Sequence, residues 1–123
     1  MLLREWLKDL SRRPDRPAEL VVALLTVPEE RGASPLECTA ALVVMSANKV
    51  TVGEDYIAFY RFDDAGERVG EIVLAEAALS DGESADDGWI GRYETLKLDV
   101  PGFLPGVVVS VVPNGAVKGG WKR

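Results

Sequence analysis

The chain has 123 residues, with 20 acidic and 14 basic side chains, no histidine and a net charge of -6. A chain of that length suits one domain that buries roughly two-thirds of the surface its unfolded form exposes, so folding requires neither a metal nor a disulfide. The missing histidine excludes Ser-His and Cys-His nucleophile pairs, the usual general base near neutral pH and the commonest metal ligand.

In chain order, Leu2, Leu3, Trp6, Leu7 and Leu10 recur at three- and four-residue spacing between Arg4, Glu5, Lys8, Asp9 and Arg12. This pattern predicts a short amphipathic helix over 2–12. A helix of that length is marginal in water, so its Leu/Trp stripe must dock on its own domain or on another chain. Pro14 and Pro17 stop it and make 11–17 a linker. Residues 19–27 have the valines and short length of a buried strand, although Asp15, Pro17 and Glu19 could also open a helix; strand is favoured. A polar loop between Pro28 and Pro35 leads to an apolar segment, 36–45, that reads as either type.

Lys49 to Val52 alternates, Gly53-Glu54-Asp55 turns, and Tyr56 to Phe62 is rich in aromatic residues, with a β-branched Ile57 among them. Asp63-Asp64-Ala65-Gly66 reads as a type I turn with Gly66 free to take positive φ, so 56–74 is a β-hairpin. Tyr56 to Phe62 is apolar on both faces, which places it centrally in a sheet. Beyond it, 75–79 predicts one helical turn, 80–88 an acidic Ser/Gly loop, 93–100 a strand with Leu96, Leu98 and Val100 on its apolar side, and 107–112 the last strand. The sum is an α+β, mainly β fold: a single small antiparallel barrel or sandwich with a short N-terminal amphipathic helix. Its expected divisions are a helix-and-linker arm over 1–17, a β-rich domain over 18–113 and a basic tail over 114–123.

Charge is spread unevenly, net +2 over 1–18, -2 over 19–53, -9 over 54–100 and +3 over 101–123. An acidic body repels phosphate backbones, which disfavours double-stranded nucleic acid as a ligand, whereas basic ends on an acidic body suit contacts between copies. Cys38 is the only cysteine and has no cation beside it, so it reads as a buried structural thiol in a reducing compartment. No run of about 18 apolar residues and no signal-peptide pattern is present, so no membrane partner is expected and the expected location is the cytoplasm, or a particle assembled there.

Asp81, Glu83, Asp86 and Asp87 offer oxygens of the kind Ca²⁺ takes, but Arg92 stands where an EF-hand needs its bidentate Glu, so a solvated loop and no metal are expected. Without a Walker-type loop, Gly-x-Ser-x-Gly or Cys-x-x-Cys, no catalytic residue and no cofactor is expected either. The informative residues are large apolar ones at ends and loop tips: Leu3, Trp6, Leu7 and Leu10 on the helix, Trp89 after the acidic loop, Phe103 and Leu104 between two Pro-Gly turns, and Trp121 near the end. These are the expected interface anchors. The function that follows is a non-enzymatic structural or assembly protein acting through contacts with its own copies or a larger scaffold. A viral particle component, such as a capsid accessory or tail protein, is its most concrete form, by analogy. The alternative is a small-ligand or peptide-binding β domain in which Tyr56, Phe59, Tyr60 and Trp89 line a groove; apolar area outside rather than in one inner pocket separates the two.

Overall fold

A computed structural model describes residues 1–26, 40–85, 87–94 and 106–114. Leu3–Ser11 forms the helix α1, and Leu3, Trp6, Leu7 and Leu10 are its buried stripe. Its first turn is held by Glu5, whose Oε1 accepts the Leu2 backbone N–H at 3.1 Å. It ends as Arg12 and Arg13 donate back to the Asp9 and Leu10 carbonyls, just before Pro14 prevents continuation.

Among the described residues, eight strands follow: β1 Leu20–Thr26, β2 Ala40–Ala47, β3 Lys49–Val52, β4 Tyr56–Phe62, β5 Arg68–Ala75, β6 Glu83–Ala85, β7 Gly88–Tyr93 and β8 Val107–Pro113. They make two antiparallel sheets, one ordered β2-β1-β8-β7-β6 and one ordered β3-β4-β5. The chain is therefore mainly β with one short N-terminal helix. Segments 19–27 and 36–45, ambiguous as sequence, enter the described structure as the neighbours β1 and β2, with Val22 opposite Met45 and Leu24 opposite Val43.

The β4–β5 hairpin has the predicted turn. Gly66 has φ of +83°, its N–H donates to the Asp63 carbonyl at 3.0 Å, and Asp63 Oδ1 accepts from the N–H groups of Ala65 and Glu67. β4 is the central strand of its sheet, and Ile57, Ala58 and Phe59 are buried in succession: Ile57 and Phe59 face the core, and Ala58 lies on the other face between Tyr56 and Tyr60, opposite the half-exposed Val73. The predicted helical turn is a 3-10 turn at Glu76–Ala78.

Residues 80–88, expected as an acidic, solvated hairpin loop, contain a strand as well, and Asp81, Glu83 and Asp87 stay exposed. They carry β6 and lead into β7, with Ser84 opposite Trp89. β7, Gly88–Tyr93, ends where the strand expected over 93–100 begins; Glu94 is in a turn and 95–100 lies outside the described residues.

The core joins both sheets to the helix: Leu3, Trp6, Leu7 and Leu10 pack in one cluster with Val22, Phe59, Leu74, Trp89 and Val111. α1 is thus part of the domain and not a separate arm. Arg4 ties it down. Its Nε lies 2.7 Å from both oxygens of Glu76, and its guanidinium also donates to the Gly53 and Glu54 carbonyls in the β3–β4 turn.

Glu19 fastens the corner where the sheets meet. Its carboxylate takes an ion pair from Arg61 on β4 at 2.9 Å, the Ser46 hydroxyl of β2 at 2.8 Å and the Asn114 amide beyond β8 at 3.1 Å. The Arg61 bond, with the Ser46 bond second, holds the Glu19 carboxyl below its ordinary pKa against a smaller opposing effect of burial. A carboxylate lowered on folding stabilises the fold above its unfolded pKa of about 4.3, and that stabilisation is lost as pH falls through the lower folded value. The Glu19→Gln variant is therefore expected to lose about 1–2 kcal/mol near neutral pH, allowing for the solvent that reaches the pair. The gap between the two proteins narrows below about pH 4.3, which urea unfolding across that range measures. A gap independent of pH contradicts this role for Glu19.

Candidate functional site

The structure places five of the expected interface anchors in the chain's own core. Leu3, Trp6, Leu7, Leu10 and Trp89 are all buried, Trp89 completely. They offer no surface to a second molecule, which corrects the expectation for these residues. The reason is physical: the helix stripe had a nearby sheet to cover it, and Trp89 points inward from β7, where its indole Nε1 donates to the Met1 carbonyl at 3.0 Å. Phe103, Leu104 and Trp121 lie outside the described residues.

The groove proposed around Tyr56, Phe59, Tyr60 and Trp89 does not form. Phe59 and Trp89 are fully buried, while Tyr56 is exposed and Tyr60 packs beside Phe62 with ring centroids 6.1 Å apart. The acidic segment is drawn into the fold: Gly82 exchanges backbone hydrogen bonds with Met1, and Asp87 lies 3.5 Å from Arg13. Among the described residues, no three acidic or thiol side chains gather as a metal site.

What the structure does leave open is a strand edge. Among the described residues, the two sheets end in four edge strands, β2, β6, β3 and β5. An unpaired edge displays free N–H and C=O groups that template pairing with another chain, and proteins blunt such edges with short strands, charges, prolines or bulges. β6 has only three residues and carries Glu83; β3 has four and begins at Lys49; β5 carries Arg68 and Glu71. β2 is eight residues long, Ala-Ala-Leu-Val-Val-Met-Ser-Ala, with neither a charge nor a proline.

Its one irregularity is a bulge. Leu24 faces Val43 and Leu25 faces Ala41, so Leu42 is the extra residue, and Val43 to Ala47 stays in regular register. Leu42, Val43 and Val44 are exposed at 43%, 43% and 59%, three successive apolar side chains open to water on both faces of the strand. At its far end, Arg61 lies 3.5 Å from the Ser46 carbonyl and Met45 passes against Gly70 of β5, where an added Cβ would come within 2.7 Å of the Met45 sulfur. Among the side chains described, the open part of the edge is therefore Leu42 to Val44. The sequence carried the signal as the uncharged run 38–48, but helix and strand read alike there and its place at an edge depends on the topology.

Among the described residues, no helix is long and apolar enough to cross a membrane. In comparison with known proteins, the chain matches no protein-family model, no curated protein and no solved structure.

Proposed function

We propose that the chain is a non-enzymatic assembly protein whose β2 edge pairs with β2 of a second copy, continuing the five-stranded sheet across a two-fold axis. The observation that carries this reading is the uncharged edge strand with Leu42, Val43 and Val44 exposed in succession. Antiparallel pairing of a strand with itself places it opposite its own sequence, and a strand without charge meets no like-charge opposition. Strand addition draws affinity from main-chain hydrogen bonds and specificity from alternating side chains, here Leu and Val. The single cysteine fits assembly in a reducing cytoplasm. A component of a viral particle is the narrower form of this reading and rests on analogy with assembly proteins.

Sedimentation over a range of concentrations tests it. The wild-type chain is expected to pass from monomer to dimer, and Val44→Lys, which sets two lysines near each other across the axis, to raise the dissociation constant at least about tenfold. Because Val44 is exposed, the variant monomer should keep its stability within about 0.5 kcal/mol. A wild-type chain that stays monomeric, or a variant that dimerises equally well, overturns the proposal.

A further inference from the structure

Away from the β2 edge, a half-open groove of about 480 Å³ lies between α1, the segment after it and the β2–β3 corner. Among the described residues, its apolar wall includes Leu7, Leu10, Leu20, Val50 and Val52, and its charged lining residues are Lys8, Arg16 and Lys49. In a chain of net charge -6, every charged residue of this groove is a cation. Among the described residues, none of the three is in an ion pair with a carboxylate.

Two of the cations have other contacts, and that of Lys49 draws its ammonium to the Tyr60/Phe62 face of the sheet, away from Val50 and Val52. An Arg16 guanidinium nitrogen donates to the Ser11 carbonyl at 3.2 Å, and the Lys49 ammonium sits 5.9 Å from the centre of the Phe62 ring. Neither contact neutralises charge. The volume falls within the roughly 300–1,000 Å³ of small-molecule sites, which are mostly apolar with a few placed polar groups.

We infer that this groove binds a small amphipathic anion, with an apolar body on the Leu/Val wall and an anionic head, carboxylate or phosphate, between Lys8 and Arg16. Charge complementarity selects the head: Lys8 and Arg16, with no acid among the described lining residues, attract an anion and repel a cationic head on the same body. The apolar wall supplies a contact that a bare anion lacks, so inorganic phosphate binds more weakly than an alkyl phosphate. This site is independent of the β2 edge, since no residue of the edge's open part lines it.

The test is an NMR titration of the ¹⁵N-labelled chain with decanoate and, separately, with decyl phosphate, each kept below its micelle concentration. Expected are saturable shifts centred on Lys8 and Arg16, weakened by salt, with the tighter of the two ligands naming the head group. Decyltrimethylammonium should give no saturable shift there. The double variant Lys8→Gln/Arg16→Gln should weaken binding about tenfold with an unchanged unfolding midpoint. Val52→Glu, which adds an acid to an exposed part of the wall, should weaken it as well. The proposal is overturned if neither anion gives saturable shifts at the groove, if the cationic analogue binds as well, or if both the double variant and Val52→Glu bind like the wild type.

Discussion

Removing residues 1–12 is expected to abolish the cooperative unfolding transition of the chain. The helix contributes Leu3, Trp6, Leu7 and Leu10 to the central cluster, all of them buried. Burying a large apolar side chain is worth roughly 1.5–3 kcal/mol, so the four together supply on the order of 10 kcal/mol as an upper figure. A domain of this size has about 5–15 kcal/mol of net stability, so the loss is comparable to the whole. The truncation also removes the Arg4 contacts with Glu76 and the β3–β4 turn, and the Met1 contacts with Gly82 and Trp89. Circular dichroism and amide dispersion of the truncated chain measure this; a sharp transition with native dispersion would show that the helix is dispensable.

Trp89→Ala is expected to cost about 3–5 kcal/mol, the range for deleting a large aromatic side chain from a closed core. Trp89 is fully buried, and its ring lies in a slot that two glycines make possible. A Cβ on Gly91 would come 2.2 Å from the ring edge, and one on Gly82 would come 2.4 Å from the ring and from the Ile90 carbonyl. The backbone on both sides already approaches as closely as it can, so the cavity left by alanine cannot easily collapse. Urea unfolding gives the figure, and a loss below about 1 kcal/mol would mean that the slot closes.

The sequence disclosed those parts of this structure whose signals are local. The β4–β5 hairpin was legible because Asp63 and Gly66 have the side-chain and backbone chemistry of its turn and Tyr56 to Phe62 has a strand's composition. The helix was legible from its apolar spacing, although spacing alone left open what covers the stripe. β6 and the start of β7 were not legible. Glu-Ser-Ala has no strand preference of its own and pairs because β7 returns beside it, while Gly88 and Gly91 interrupt the alternation that would mark Trp89 as inward-facing.

The same reasoning explains the two candidate sites. A large aromatic beside an acidic, glycine-rich stretch reads as exposed, and only the approach of Met1 and Gly82 from elsewhere in the chain makes Trp89 a core residue. The β2 edge depends on strand order and the cationic groove on bringing 7–20 beside 47–52, both of them non-local facts. The composition pointed to the chain ends as contact surfaces. The structure buries the apolar stripe of the first helix and directs attention to a strand inside the chain.

The most direct test of strand pairing between copies is an isotope-filtered NOE experiment on a sample mixed from labelled and unlabelled chain. The account predicts intermolecular contacts within β2, centred on Val43 and Val44 and in antiparallel order. Intermolecular contacts confined to other strands, or none at concentrations where sedimentation shows a dimer, would contradict it.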